Sequence, residues 1–357
     1  MNEVLVEVKG HAGLITLNRP RAINVLSLQM IRDLTAALLA WREDEAIEFV
    51  AVRGMGKEGP FGHFCAGGDI RFFHEAAHAG DPLLEDFFSE EYTLNWLVNN
   101  FPKPYAVFMD GVVMGGGMGI SGHARQAATM RVATERTKMA MPETNIGLFP
   151  DVGGGYFLSR CPGHIGEYLA LTGQTIGGAD AMYAGLADAV VPSEGLASLW
   201  DSMSGQGSLT RGAGMVLKQS MLAKHEDGIE RFFALDSVTE IVHALEGDSS
   251  EFAQHAALQL RKRSPLMLHV TLEQLRRART MTFPDDLRME RSMMRHCFHL
   301  RRGAASETVE GIRALAIDKD HAPKWNPARI EDVTPQMVQP FFEPAWPAYA
   351  HPLRDLP

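Results

Sequence analysis

Apolar and polar positions change period along the chain, and each change marks an element. VLVEVKG and AGLITLN are short apolar-rich runs separated by a Gly/His/Ala turn, and they predict a β-hairpin. From Ser27 onward, Leu28, Ile31, Leu34, Leu38 and Trp41 recur at helical spacing, with Ser27 as the candidate N-cap. EFVAVRG and YAVFMDG read as strands, and residues 83–100 as a helix. A helix of small residues starts inside MGGGMGISGHA. TMRVAT, KMAMPE and ADAVV predict further strands, with helices around 155–172 and 179–184. A hairpin followed by alternating helices and strands is the rhythm of α/β architecture.

The texture changes near residue 200. SMSGQGSLTRGAG is a Gly/Ser-rich break and predicts a loop. Beyond it EFAQHAALQLRKRSP, LMLHVTLEQLRRART and DDLRMERSMMRHCFHL are amphipathic, charged and helical in spacing. This predicts a region over 1–200 that carries the sheet and a mainly helical region over 201–357. The tail IDKDHAPKWNPARIEDVTPQMVQPFF is proline-rich and loop-like, with a short helix near its end.

Composition narrows the function. At 45% apolar, the 357 residues can bury a sizeable core. A net charge of −10 argues against a broad nucleic-acid face and against attraction to an anionic membrane. No apolar run reaches membrane-spanning length. Cys65, Cys161 and Cys297 are few, odd in number and far apart, which suits a reducing compartment. With no signal or transit pattern in MNEVLVEVKG, the expected location is cytoplasmic. The expected partner is a small molecule, and a homo-oligomer is compatible with the sequence.

Three motifs invite chemistry and lack its context. HEAAH, from His74 to His78, matches a zinc-protease pattern without a recognisable third ligand, so no metal is expected. GMGISG fits a dinucleotide fingerprint but sits mid-chain, without the acid that should close the next strand. Ser121 lies outside the G-x-S-x-G elbow of a hydrolase serine.

Two glycine-rich turns, FCAGGDI and MGGGMG, each follow a candidate strand and precede a candidate helix. Such turns are either plain tight turns or places where free N–H groups meet an acyl oxygen. The stretch MPETNIGLFPDVGGG adds two carboxylates, Glu143 and Asp151, each preceded by proline. Glu143 is a candidate catalytic acid, or merely an acid favoured at a helix start.

FCAGGDI, KPYAVFMDGVVMGGGMG, ATERTKMAMPETNIGLFPDVGGGYFLSR and ALTG together resemble the enoyl-CoA hydratase/isomerase (crotonase) superfamily. EEYTLN, the PETNIGLFPDVGGGYF block and the tail GIRALAIDKDHAPKW are similar to its 3-hydroxyisobutyryl-CoA hydrolase branch. The likeness spans nearly the whole chain, is weakest over 200–260, and departs at GHARQAAT. It implies an α/β spiral of ββα turns with a helical C-terminal region, and acyl-CoA thioesters as substrates. It implies no cofactor, since coenzyme A belongs to the substrate.

The resemblance also implies roles. Ala66 and Gly116 would donate backbone N–H groups to the thioester oxygen. Gly67, Gly68 and Asp69 would line the acyl group. Arg21 and the backbone at Ala22, in NRPRAIN, would meet coenzyme A. Glu143 would be the main catalytic carboxylate, as nucleophile or general base, with Asp151 handling protons. Glu91 would contact a 3-hydroxyl, unless it is an ordinary surface glutamate. Hydratases of the superfamily carry a second glutamate soon after the triple glycine; Gly119 stands there, and Asp151 is the new acid. This favours thioester hydrolysis over hydration, isomerisation or non-enzymatic coenzyme A binding.

Overall fold

The structure is a computed structural model that describes residues 2–124, 129–206 and 220–357. Part of the divergent GHARQAAT stretch and most of the predicted Gly/Ser-rich loop lie outside the described residues. The chain forms two compact units, each drawn from three stretches. The first comprises Met1–Gly68, Thr93–Ala140 and Thr175–Ala223; the second comprises Asp69–Tyr92, Met141–Gln174 and Lys224–Pro357. Each unit takes residues from both sides of the change in texture near residue 200.

The first unit holds every strand. β1 (Val4–Lys9) and β2 (Ala12–Leu17) form the predicted antiparallel hairpin, with Val4 opposite Leu17. β3 (Phe49–Gly54), β4 (Tyr105–Met109), β5 (Val112–Met114), β6 (Thr129–Ala133), β7 (Lys138–Ala140) and β8 (Ala189–Val190) follow. The larger sheet has the order β1-β2-β3-β4-β6-β8, parallel except for the hairpin. β5 and β7 form a second, parallel sheet, which Cys65 joins by a bridge to Val113. Successive pairs β4–β5 and β6–β7 thus give one strand to each sheet. This is the expected spiral of ββα turns.

Alternation along the strands explains the packing. Leu14, Ala51, Phe108 and Val132 share a core cluster with Leu196 and Trp200 of the helix Leu196–Gln206. The helix Leu28–Glu43 begins where Ser27 accepts a hydrogen bond from the Met30 N–H. It buries Ile31, Leu34, Leu38 and Trp41, as its spacing predicts. Gly13 makes room for it, since a Cβ there would lie 2.5 Å from the Trp41 ring.

The second unit is helical. Ser237, Ser250, Ser264 and Thr282 each cap a helix by accepting an N–H three residues on. The segment predicted as one helix over 155–172 is two, Gly154–Leu158 and Ile165–Thr172. Pro162, without an N–H, and Gly163, at φ 53°, separate them. Among the described residues no strand follows Val190.

Candidate functional site

In the second unit, Glu143 opens the 3₁₀ turn Glu143–Ile146. Its carbonyl accepts from the Leu148 N–H at 3.0 Å, and Gly147 closes the turn at φ 69°. No larger residue fits at Gly147, because a Cβ would come within 2.1 Å of the Glu307 carbonyl oxygen. Thr144 is buried and bonds back to the Leu171 carbonyl. The Arg263 guanidinium holds Asn145 at 2.9 Å. These contacts fix the backbone of the turn that carries Glu143.

Glu143 is 7% exposed, and its Oε2 finds no hydrogen-bond partner among the described residues. Burial, followed by the charge of Asp151, holds its carboxyl well above the usual range. Asp151 is equally buried, and burial raises it to about 6. The raise is opposed by Tyr92, whose hydroxyl donates to Asp151 Oδ2 at 2.8 Å. Glu91 is 2% exposed, which overturns its reading as a surface glutamate. Its pKa is raised by burial, then by Asp151 and Glu143, and its Oε1 is unpartnered among the described residues. The second unit thus gathers three buried, mutually repelling carboxyls with no cation among the groups that shift them. Such a cluster binds protons tightly and can exchange them with a bound molecule near neutral pH.

In the first unit the two glycine-rich turns do meet. Gly67 has φ 100°, and a Cβ there would lie 3.3 Å from the Met114 carbonyl oxygen and 3.6 Å from the Gly116 nitrogen. A Cβ on Gly117 would come within 2.4 Å of the Cys65 carbonyl oxygen. The strand contact that imposes this closeness is double: Cys65 N–H donates to Val112, and Met114 N–H donates to Cys65.

The donor assigned to Ala66 needs correction. Its N–H is engaged by the Ile23 carbonyl at 3.1 Å. The N–H groups of Gly68 and Gly116 meet no protein acceptor among the described residues, so Gly68, expected only to line the acyl group, supplies the free donor. The Asp69 side chain accepts the Phe72 N–H as N-cap of the helix Ile70–Ala79.

Arg21 is exposed on the 3₁₀ turn Pro20–Ala22. The loop behind it is pinned by Asn24, fully buried at φ 52°. The Asn24 amide donates to the carbonyls of Met55 and His63, and its oxygen accepts the Arg19 N–H. Asn24 and Tyr92 are the residues that sequence reasoning passed over. Neither carries a motif signal of its own, although both lie inside stretches singled out above.

The remaining motifs make contacts within the chain. The rings of His74 and His78 pack 4.5 Å apart, and no group of three or more potential metal ligands occurs among the described residues. Ser121 donates to the Gly117 carbonyl within its own turn. No helix among the described residues is long and apolar enough to cross a membrane.

Comparison with known proteins adds an independent line. A family model described as enoyl-CoA hydratase/isomerase matches residues 12–342. The mitochondrial 3-hydroxyisobutyryl-CoA hydrolase of Gallus gallus is 40% identical over 360 residues, covering 96% of this chain and 89% of that protein. The Homo sapiens protein of the same name is 41% identical over 354 residues, covering 96% and 88%. Among solved structures, a carnitinyl-CoA dehydratase from Mycobacterium thermoresistibile superposes with a TM-score of 0.89 at 38% identity, covering 96% of this chain and 97% of that one. An enoyl-CoA hydratase from Rhodobacter sphaeroides 2.4.1 gives 0.88 at 37% identity, covering 96% and 98%.

Proposed function

Because the chain belongs to the enoyl-CoA hydratase/isomerase family, we propose that it hydrolyses an acyl-CoA thioester, with 3-hydroxyisobutyryl-CoA as the first substrate to test and 3-hydroxypropionyl-CoA as the second. The observation that carries this reading is the pairing of Glu143 with Asp151 while position 119 is glycine. Adding water to a double bond calls for two carboxylates around it, one of them after the triple glycine. Here the second acid sits at 151 instead, held by Tyr92.

In the first unit, the N–H groups of Gly68 and Gly116 are the proposed donors to the thioester oxygen, where negative charge develops. In the second, Glu143 takes the proton of the attacking water or attacks the carbonyl itself, and both routes need it ionised. Asp151, raised to about 6, is suited to start ionised, accept the proton of the attacking water directly or by way of Glu143, and pass it to the departing thiolate. The products are the free hydroxy acid and coenzyme A. Glu91 is the proposed partner of the 3-hydroxyl. Arg21 and the Ala22 backbone remain the proposed coenzyme A contacts, supported by the exposure of Arg21. No separate cofactor is invoked. The buried cysteines Cys65, Cys161 and Cys297, which form no disulfide, support a reducing compartment such as the cytoplasm; the named relatives are mitochondrial. Valine breakdown is the setting this substrate would imply.

The names of the two solved structures favour a second reading, hydration or dehydration of an enoyl-CoA. One experiment separates the two: thiol release from 3-hydroxyisobutyryl-CoA measured beside crotonyl-CoA hydration. Hydrolysis should exceed hydration by at least a hundredfold. The opposite ratio would replace the hydrolase reading with the second.

A further inference from the structure

Two buried acids of the second unit take no part in the chemistry above. Asp286 and Glu290 lie four residues apart on the helix Phe283–His299, and both are fully buried. That spacing puts them on one helix face, one turn apart. Their partners are specific. Glu290 Oε2 accepts the Gly153 N–H at 2.7 Å, and its Oε1 accepts the Gly155 N–H at 2.9 Å and the Gln274 amide at 3.0 Å. Asp286 Oδ2 accepts the Tyr156 N–H at 3.0 Å. The Gln274 amide also reaches the Pro150 carbonyl at 2.7 Å. These groups therefore hold Pro150, Gly153, Gly155 and Tyr156, the backbone on both sides of Asp151.

That backbone is under strain. Val152, directly after Asp151, has φ 55°, a conformation that β-branched residues rarely adopt, and Gly153 follows at φ 84°. Such a turn persists only where its surroundings over-determine it. Gly155 completes the fit, since a Cβ there would lie 2.6 Å from Asp286 Oδ1.

Glu290 is served by three N–H donors, as a carboxylate requires. Asp286 Oδ1 is buried without a partner among the described residues that it could accept from. A proton on that acid, donated to Glu290 one turn along the same buried helix face, would satisfy both groups and leave the pair with one negative charge. The other charged groups that act on the pair are Asp151, on Glu290, and Arg160, on Asp286. Arg160 donates to the carbonyls of Tyr156, Ala278 and Met281 and forms no ion pair with the acids. The neighbouring Arg291 turns instead to Glu85.

We infer that Glu290 and Asp286, sharing one proton, are positioning residues that hold the strained Asp151–Gly155 turn and so fix the Asp151 carboxylate. The inference rests on the proposed role of Asp151 in thioester cleavage. Burial, which raises Asp286 to about 7, is consistent with the shared proton. A second full charge at the pair would further disfavour ionisation of Asp151.

The test uses Glu290→Gln and Asp286→Asn in the full chain. In Glu290→Gln one oxygen becomes an NH₂ that faces an N–H donor, so part of the grip is lost, together with one negative charge. Three results are expected: faster amide hydrogen exchange over residues 151–158, a fall in kcat of at least tenfold with KM within threefold, and an acid limb of the pH profile moved to lower pH. In Asp286→Asn the amide donates where the shared proton did and the net charge is kept. Exchange and the acid limb should stay in place, and kcat should stay within threefold. Equal damage in the two variants overturns the shared proton. Unchanged exchange in Glu290→Gln overturns the grip, and faster exchange with unchanged kcat overturns the positioning role. If Glu290→Gln does not fold, Asp286→Asn still decides the shared proton. Failure of the hydrolase reading is distinguishable, because the wild-type protein would then release no thiol while the exchange comparison still stands.

Discussion

The Tyr92 hydroxyl donates a 2.8 Å hydrogen bond to Asp151 Oδ2, joining residues 59 apart in sequence. This bond favours the ionised form of Asp151 against burial, and both groups are buried. Tyr92→Phe keeps the ring and removes the bond. Asp151 should then titrate above its value of about 6. The acid limb of kcat/KM should move to higher pH, and kcat should fall roughly three- to tenfold, on the order of 1 kcal/mol. A profile identical to that of the wild type would show that Asp151 does not govern the rate.

In its proposed role Glu143 must be ionised, yet burial and Asp151 hold its carboxyl well above the ordinary range. Activity should therefore be lost as pH falls through an apparent pKa above that of ordinary carboxylates, where hydrolases without such burial still work. Because Glu91, Glu143 and Asp151 interact, the limb belongs to the cluster. Glu143→Gln keeps the shape and removes basicity and nucleophilicity. It should lower kcat at least a hundredfold, about 2.7 kcal/mol. Coenzyme A affinity, measured by calorimetry, should be nearly unchanged. Activity within tenfold of the wild type would remove Glu143 from its role.

The same burial makes the site costly to the fold. A carboxyl raised from 3.8 to about 6 binds its proton more tightly in the folded state. Its contribution is neutral below pH 4, then destabilises as pH rises to 6, reaching about 3 kcal/mol above that. Asp151→Asn removes the charge and can still accept from Tyr92. The variant should be inactive and more stable at pH 8, with the gain vanishing as pH falls from 6 to 4. Melting temperatures of the two proteins across this range check the sign. A variant less stable than wild type at pH 8 would show that Asp151 is not strained by burial.

Local elements were legible because local rules govern them. Ser27 and the spacing to Trp41 announce a helix whose cap and buried face the structure shows. Glu143, Asp151 and Glu91 were visible only through long motif matches, since a lone glutamate looks alike inside and outside a core. What stayed hidden depends on partners remote in sequence. Nothing in EEYTLN says that Tyr92 reaches Asp151, or in DDLRMERSMM that Glu290 holds glycines 137 and 135 residues away. The Ala66 assignment failed for a related reason. A motif gives the position of a turn but not which of its N–H groups the carbonyl of Ile23 already engages.

The free N–H groups of Gly68 and Gly116 depend on the conformation of Gly67 between their two turns. Its φ of 100° is one that side-chain-bearing residues rarely adopt. An added methyl would also press on the Met114 carbonyl at 3.3 Å, tighter than ordinary contact. Gly67→Ala must therefore shift the turn that carries Gly68 or the strand end that carries Gly116. The backbone strain alone should cost about 1–3 kcal/mol of stability. Misplaced donors should lower kcat by at least tenfold, because in the proposed mechanism they act where charge develops in the transition state. Gly195→Ala serves as the control: a Cβ there meets nothing within 4 Å, and the variant should behave as wild type. The measurement is kcat for both variants beside their melting temperatures. If Gly67→Ala is destabilised but keeps full kcat, the N–H groups beside it do not hold the reacting oxygen, and the donors must lie elsewhere in the first unit.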